Sequence, residues 1–305
     1  MIGIIKKKLR QAGLRRPGEL LTLGRRNLQR RLPGRYPRFG SDELKSTLES
    51  IGVRSGATVF LHSSWDEFYN YSGSAVELIR MLLEHVGPTG TLAMPAFPLR
   101  IDFNAVFDVR RTPTGAGLIP ELFRRMPNTR RSINIQHSVV AAGPNADYLV
   151  RDHHRSETAW DSLSPYARLA DVDALIVCAG LPRAYAPTAQ HCAESLLYHE
   201  IPYFRSVFGE PTSYRYRDEN GDEGTHSVRQ RTGRWRATRT RKYFVSARRH
   251  AQISNLQIQA LDARFLIERI TELGRQGITD YYWPIPFPRL FKADPPSDSP
   301  LLHRL

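Results

Sequence analysis

The stretch 174-ALIVCAG-180, followed after a short gap by 187-PTAQHCAE-194, decides the fold. The first segment is apolar, rich in β-forming residues and ends in glycine, which predicts a fully buried strand. In the second segment Thr188 is a good N-cap, so a helix is predicted to start there. A buried strand, a loop and a helix in this order are the repeating unit of an α/β fold.

The predicted helix carries a candidate acid–base pair. His191 and Glu194 are three residues apart and therefore share one helix face. A carboxylate beside an imidazole fixes its tautomer and favours proton acceptance, which a general base needs near neutral pH. The same two residues also fit an ordinary capping pair, so both interpretations stay open on these residues alone.

Strands and helices alternate on both sides of this stretch. Buried strands are predicted at 59–61, 91–95 and 139–143, and helices at 41–50, 74–86 and 118–125. After about residue 205 the pattern predicts a β-hairpin over 214–228, a long helix over 253–276 with Phe265 on its core side, and an apolar strap at 283–288. The whole predicts an α/β sandwich around a largely buried sheet.

The positive charge is concentrated at one end of the chain, whose formal net charge is +14 over 305 residues. Residues 1–38 hold twelve Lys and Arg against one acid, Glu19, so +11 of the total lies there. Apolar residues between the cations suit a helix lying on an anionic membrane. We expect either peripheral membrane contact or a solvated or self-packed arm. Nucleic-acid binding is not expected, because Tyr36 is the one aromatic residue of this arm.

Several protein classes are excluded by composition. No apolar run reaches eighteen residues, so no membrane-spanning helix is predicted. The first residues carry the basic and apolar parts of a signal peptide in reversed order, which predicts a cytoplasmic protein, at most peripheral at the inner membrane face. Cys178 and Cys192 fall in segments predicted to be buried and indicate reduced thiols. No metal is predicted, because neither Cys-x-x-Cys nor His-x-x-x-His spacing occurs.

Four separated blocks keep the order and spacing of one known family from about residue 40 to about 205. They are 59-VFLHSS-64, 90-GTLAMP-95, 112-TPTGAGLIPELFRR-125 and 188-TAQHCAE-194. Arg131-Ser132 and 137-HSVVAAG-143 also fit, although Gln136 stands where the family usually has proline. This ordered set resembles the aminoglycoside 3-N-acetyltransferases, the antibiotic acetyltransferases that use acetyl-CoA, and identifies the chain as a divergent member.

The resemblance implies a three-layer α/β/α sandwich over residues 39–292, followed by a tail at 293–305. We expect the part after about 205 to complete the acceptor pocket. The implied activity is acetyl-CoA-dependent N-acetyl transfer without a metal. His191 would be the general base, and Glu194 would orient it or hold the acceptor amine, with Thr188 beside them. The candidate CoA contacts are His62, Ser63, Ser64, Arg131, Ser132 and Ser138.

One departure from the family bears on the substrate. The family usually carries an aspartate six residues before the catalytic histidine, in an Asp-x-Asn-Thr setting, and this chain has Tyr185 there, in 185-YAPT-188. This change removes a histidine partner or an anchor for cationic antibiotic amines. We therefore expect an amino-sugar acceptor such as a saccharide precursor, or another neutral or anionic amine, and not an aminoglycoside antibiotic.

Two other functions stay open on the sequence. The chain could take its acyl group from a carrier protein, or it could be a catalytically inactive relative that binds CoA. Whether it forms a homodimer is also open.

Overall fold

A seven-stranded mixed sheet lies at the centre of the computed structural model, which describes residues 36–182 and 185–292. Nearly all of the predicted basic arm (1–38) and the whole predicted tail (293–305) lie outside these residues, and so do the membrane contact and other roles expected of the arm. None of the described helices is long and apolar enough to cross a membrane.

The described strands and helices follow the alternation read from the sequence. The strands are β1 (Thr58–Ser63), β2 (Thr91–Pro95), β3 (Phe107–Asp108), β4 (Arg130–Arg131), β5 (Val139–Ala142), β6 (Leu175–Ala179), β7 (Phe208–Arg217), β8 (Glu223–Arg231), β9 (Arg234–Trp235), β10 (Arg249–Ile253), β11 (Leu256–Asp262) and β12 (Tyr281–Trp283). The α-helices are α1 (Ser41–Ser50), α2 (Ala75–Val86), α3 (Leu118–Phe123), α4 (Ala146–Val150), α5 (Pro165–Arg168), α6 (Cys192–Leu196), α7 (Pro202–Arg205) and α8 (Ala263–Arg275).

The centre of the main sheet is parallel and its margins are antiparallel. In space the strand order is β10-β11-β6-β1-β2-β5-β4, with β1 parallel to both β2 and β6. Because parallel strands end at the same edge, His62 and Ser63 of β1 lie beside Cys178 and Ala179 of β6. The residues that follow β1 and β6 therefore meet at one edge of the sheet.

Alternate residues of β1 belong to different hydrophobic cores. Val59 and Leu61 pack into the core that contains α1, α2 and α3. Phe60 packs into the opposite core, which contains α8 and the segment around Cys192. Since successive side chains of a strand point to opposite faces, the sheet is covered on both sides. The expected three-layer α/β/α sandwich is thereby confirmed.

Local signals predicted most elements correctly. Ser74 caps α2, since its hydroxyl accepts a hydrogen bond from the Glu77 amide at 3.2 Å, and Gly87 ends that helix. The hairpin predicted over 214–228 is present as β7 and β8, which pair over a longer range. These elements depend on short-range capping and alternation, which the sequence shows directly.

The long helix predicted over 253–276 is wrong in its first half. Residues 256–262 form β11, which pairs antiparallel with β6, and the helix begins at Ala263. The segment LQIQALD alternates in part between apolar and polar residues, a period that suits a strand. Phe265, predicted to face the core, is 39% exposed. The apolar strap at 283–288 is also exposed, since Trp283 and Ile285 retain 57% and 49% of their surface.

Candidate active site

The segment that carries His191 is a 3₁₀ turn joined to a short helix. The turn spans Thr188–His191 with Pro187 at its N-cap position, and α6 begins at Cys192. The predicted capping role of Thr188 is therefore wrong, because Pro187 occupies that position and no side chain caps the turn. The Thr188 side chain instead hydrogen-bonds to Tyr185.

His191 and Glu194 meet as the sequence predicted. Nδ1 of His191 lies 2.7 Å from Oε1 of Glu194, and both side chains are buried. The Tyr281 hydroxyl donates to the same carboxylate oxygen at 2.6 Å. A carboxylate held in this way favours the proton on Nδ1 and leaves Nε2 as the acceptor of the neutral ring.

Burial keeps the His191 ring neutral. Removal from water lowers the pKa of His191 from its ordinary value of 6.5, and the charge of Arg231 lowers this pKa further, whereas Glu194 raises it. The direction is downward, so the ring carries a free lone pair at neutral pH. A neutral imidazole with an oriented tautomer is what general-base chemistry requires.

Arg231 lies against the His191 ring and was not singled out by the sequence. One terminal nitrogen of its guanidinium is 2.8 Å from Nδ1 and 2.7 Å from Nε2. A donor equally close to both nitrogens cannot lie along either lone pair, so it covers the face of the imidazole. The guanidinium carbon is also 5.4 Å from the ring centroid of Trp160 and 5.5 Å from that of Trp235, within cation–π range.

The cavity beside His191 is small and is lined largely by the part of the chain after residue 205. Its volume is about 20 Å³, and its lining includes Glu194, Trp235, Asp280 and Tyr281. That volume holds roughly one water molecule. The cavity is therefore too small to hold a sugar-sized acceptor.

Asp280 holds this lining in place. Its Oδ1 accepts hydrogen bonds from the backbone amides of Thr238, Arg239 and Thr240 at 2.9–3.1 Å. Its Oδ2 accepts a bond from Gln190, the neighbour of His191, at 2.7 Å. One carboxylate thus ties the loop after β9 to the turn that carries the base. The residue lies 89 positions from His191, so no local motif indicated it.

Polar atoms without partners gather between the end of β1 and His191. The buried atoms without a hydrogen-bond partner in the described part of the chain include His62 Nε2, Ser63 Oγ, His137 Nδ1, Trp160 Nε1 and Tyr166 Oη. We call these five residues the unpaired cluster. Their rings follow one another, since His137 lies 4.5 Å from Trp160 and Trp160 lies 5.1 Å from His191, centroid to centroid. Phe60 contacts the rings of both His62 and Tyr166.

Tyr185 connects the loop before His191 to this cluster. Its hydroxyl lies 3.1 Å from Nδ1 of His62. Burial lowers the pKa of His62 to about 3, so this ring is neutral over the physiological range. The tyrosine therefore occupies the position of the family aspartate without supplying a negative charge to His191.

The end of β1 is shaped by close approach to β6. The amide of Ser64 donates to the carbonyl of Ala179 at 3.1 Å, and Gly180 follows with φ of +71°. A Cβ on Gly180 would lie 3.0 Å from the Ser64 carbonyl and closer still to Glu67. Glycine at this position lets the Ser63-Ser64 segment lie directly against the end of β6.

Arg131, predicted to contact CoA, is engaged inside the fold. Its buried guanidinium donates hydrogen bonds to neighbouring chain segments. The acceptors are the Ser138 hydroxyl and the backbone carbonyls of Ala96, Val109 and Thr112. Its contacts with Thr112 and Ala96 are both 2.5 Å. Because these bonds use the donors that would grip a phosphate, the contacts of Arg131 do not support the predicted CoA role.

Ser132 and Ser138 are engaged in the same region. The Ser132 hydroxyl accepts from the Val139 amide at 2.9 Å and lies 2.8 Å from Nδ1 of His153. The Ser138 hydroxyl donates to the Ala96 carbonyl at 2.7 Å. We call Arg131, Ser132, Ser138 and His153 the paired cluster. Both serines are fully buried, so their predicted contact with CoA is likewise unsupported.

A wider groove lies elsewhere in the described structure. It has a volume of about 910 Å³ and is lined by Arg110, Arg124, Arg125 and Arg130, among others. Gly143 and Pro144 also line it, which places it where β1 and β2 begin, at the opposite end from His62. Three of these arginines already pair with acids, since Glu121 binds Arg124 and Arg125 and Glu219 binds Arg130. We therefore place the candidate site at His191.

The described residues contain no group of three or more His, Cys, Asp and Glu side chains placed to hold a metal ion. Cys178 and Cys192 are both free and buried.

Comparison with known proteins identifies the family. The family model for aminoglycoside 3-N-acetyltransferases matches residues 60–273. This chain belongs to that family. The resemblance read from the four sequence blocks is thereby confirmed, and the family match extends beyond them into the last third of the chain.

The named relatives of this family are distant. Aminoglycoside N(3)-acetyltransferase IV of Salmonella sp. is 31% identical over 163 residues, which cover 53% of this chain and 60% of that protein. The match thus spans about three fifths of the relative's length.

Solved structures of similar proteins share the fold. AAC-IIIb in a binary complex with CoASH has a TM-score of 0.66 at 19% identity and covers 79% of this chain and 98% of its own. AAC-VIa bound to sisomicin has a TM-score of 0.64 at 24% identity and covers 77% of this chain and 97% of its own.

Proposed function

We propose that this protein transfers an acetyl group from acetyl-CoA to the amine of an amino sugar or a related small molecule, with His191 as the general base. The observation that carries the proposal is the 2.7 Å contact between His191 Nδ1 and Glu194 Oε1 in a buried site. It directs Nε2 of a neutral ring toward proton acceptance. Because the chain belongs to an acetyltransferase family, acyl transfer is the reaction that we propose for this base.

The proposed step uses three residues of this chain at the reacting amine. Nε2 of His191 takes the amine proton while the nitrogen bonds to the acetyl carbon. Glu194 accepts the hydrogen bond of Nδ1–H and stabilises the imidazolium that results. The Tyr281 hydroxyl donates a second hydrogen bond to Glu194 and so keeps the carboxylate aligned. The bond between the acetyl carbon and the CoA sulfur breaks as the new carbon–nitrogen bond forms, and the imidazolium returns its proton to the departing thiolate, so that CoA leaves as the thiol.

The end of β1 fits the thioester end of acetyl-CoA. His62 Nε2 and Ser63 Oγ are buried without partners in the described part of the chain, as polar atoms are when a ligand completes them. When the Tyr185 hydroxyl donates to Nδ1 of His62, Nε2 carries the proton and serves as a donor. His62 and Ser63, with Ser64 at the same turn, would hold acetyl-CoA. Acetyl-CoA itself supplies the activated acetyl group.

The acceptor that this site favours is not a polycation. A cationic amine needs a free carboxylate, yet the Glu194 oxygen nearest the base already accepts from His191 and Tyr281. Asp280 is occupied by three backbone amides and Gln190. Tyr185 supplies no charge where the family carries an aspartate. We therefore propose a neutral or anionic amino-sugar acceptor in place of an aminoglycoside antibiotic.

Calorimetric titration of acetyl-CoA into the full-length protein tests the donor. We expect micromolar binding that weakens about tenfold in Ser63→Ala and not in the matched control Ser132→Ala, whose hydroxyl is bonded inside the fold. Absence of binding to the wild type would overturn the acetyl-CoA donor and direct the search to an acylated carrier protein.

Release of CoA thiol in the presence of amino sugars tests the transfer. We expect turnover in the wild type and its loss in His191→Ala. Tight acetyl-CoA binding without turnover on any amine, amino sugars and aminoglycosides included, would identify a binding protein and not an enzyme.

A further inference from the structure

Arg231 is a guanidinium without a carboxylate partner beside the candidate base. Arg229, two residues earlier on β8, donates to Glu157 at 2.8 Å. Arg231 instead contacts His191, the rings of Trp160 and Trp235 and the Tyr281 hydroxyl, and no acid forms a direct ion pair with it within the part of the chain that the structure describes. A partly buried cation without a counter-charge is unfavourable unless something else completes it.

The acids around the site are unable to complete it. Glu157 is bound by Arg229 and lies 2.8 Å from His199. Asp161 accepts from the backbone amides of Thr158 and Leu163. Glu194 is nearer, but its Oε1 already accepts from His191 and from the Tyr281 hydroxyl. None of these acids forms an ion pair with Arg231 among the described residues, so an oxyanion from a ligand would be its first direct counter-charge.

We propose that Arg231 binds an oxyanion carried by the acceptor, a phosphate or a carboxylate on the amino sugar, and so determines acceptor specificity. The inference rests on the proposed function for the reaction at His191. A guanidinium offers a planar fork of donors that matches either oxyanion. Its position between two indole rings fixes the direction of that fork and excludes water, which strengthens the charged hydrogen bonds.

The position of Arg231 also brings the amine to the base. Its guanidinium touches both ring nitrogens of His191, so an oxyanion bound to its outer edge lies next to the residue that accepts the proton. An amine on the same sugar ring then reaches Nε2 without leaving the site. A polycationic acceptor would place like charges at contact distance, where salt screens them little.

Binding of three matched sugars to the full-length protein is the first test. The three sugars share the amino group and differ in charge. Glucosamine has no acidic group, glucosamine 6-phosphate carries a phosphate, and muramic acid carries a carboxylate. Tryptophan fluorescence reports binding, because Trp160 and Trp235 flank Arg231. We expect the two anionic sugars, or one of them, to bind about 10- to 100-fold more tightly than glucosamine, the range of one charged hydrogen-bonded contact. Inorganic phosphate should compete with the preferred sugar.

Variants assign the preference to one residue. Arg231→Met should abolish the difference between charged and neutral sugars, Arg231→Lys should retain part of it, and Arg234→Met, an exposed arginine on the neighbouring β9, should leave it unchanged. In transfer assays the loss should appear in KM for the anionic sugar, with kcat on glucosamine changed less. Thermal unfolding of each variant checks that it is folded, and phosphate competition in the wild type needs no variant.

The outcomes separate this inference from the proposed function. Equal binding of the three sugars, or tighter binding of all three to Arg231→Met, would overturn the oxyanion site and show that Arg231 only covers His191. A preference for the anionic sugars without acetyl transfer would leave the oxyanion site standing and overturn the transferase proposal. Transfer to all three sugars at equal rates would support the transferase proposal and overturn the oxyanion site.

Discussion

The paired and unpaired clusters contain similar residues and differ in their hydrogen bonds. In the paired cluster Arg131 reaches three carbonyls and Ser138, while Ser132 and His153 bond to each other. In the unpaired cluster His62, Ser63 and their neighbours keep buried polar atoms without partners among the described residues. Both clusters draw residues from the blocks that resemble the family, namely Arg131, Ser132 and Ser138 for the paired cluster and His62, Ser63 and His137 for the unpaired one.

This difference in hydrogen bonding separates polar residues that stabilise the fold from those available to bind a ligand. A buried polar group without a partner is costly, and a ligand that bonds to it removes that cost. The sequence could not make this distinction, because serine and histidine occur in both clusters. Substitutions in the paired cluster should therefore reduce stability, and substitutions around the unpaired cluster and His191 should reduce function.

The largest effect is expected at His191, the proposed base. His191→Ala should lower kcat about 10²- to 10⁴-fold, the usual contribution of a general base. Unfolding by urea should change far less, since the role proposed for the imidazole is in the reaction and not in folding. A matched variant at Cys192, Cys192→Ala, tests the same turn without removing the base. Loss of activity in both variants to the same extent would show that the turn and not the imidazole is needed.

Arg131→Met comes next, with stability as the readout. The change should lower the free energy of unfolding by about 2–3 kcal/mol, because it leaves buried carbonyls without donors. Urea denaturation measures this value. Arg125→Met is the control, as that arginine is largely exposed and its salt bridge contributes at most about 1 kcal/mol. An Arg131 variant as stable as the wild type, with weaker acetyl-CoA binding, would return Arg131 to the cofactor site.

The pH dependence of stability follows from one histidine in each cluster. Burial lowers the pKa of both His62 and His153 from 6.5 to about 3. Below pH 6.5 these two histidines bind protons in the unfolded chain but stay neutral in the native protein. Their contribution to the free energy of unfolding is therefore fully present above pH 6.5 and is lost as the pH falls toward 3. Each ring should contribute a slope of about 1.4 kcal/mol per pH unit.

Urea unfolding at successive pH values checks this slope. His62→Gln should reduce the slope by the contribution of one ring. An unchanged slope in His62→Gln would mean that His62 is protonated in the native protein at mildly acidic pH.

The smallest effects compare the two buried serines. Ser132→Ala should cost about 1–2 kcal/mol of unfolding free energy, because the Val139 amide loses its acceptor. Ser63→Ala should be neutral or slightly stabilising, since its hydroxyl has no partner to lose within the described structure. Urea denaturation of both variants gives the comparison. Equal destabilisation would remove the distinction between the clusters.

Local sequence determined much of this protein. The ordered blocks indicated the family, and short apolar runs, caps and glycines predicted β1, β2, β5 and β6 with α1 and α2. The spacing of His191 and Glu194 was enough to bring them together, because residues three apart remain neighbours whether the turn is 3₁₀ or α-helical. These features depend on interactions within a few residues along the chain.

The tertiary structure alone decided which polar residues are bonded and what surrounds the base. Arg131 meets carbonyls that lie 19 to 35 residues earlier in the chain, and Tyr281 reaches Glu194 across 87 residues. β11 became a strand because β6 offered it a partner edge, although the sequence favoured a helix. Arg231 carried no local signal, because its contact with His191 joins residues 40 positions apart in the chain.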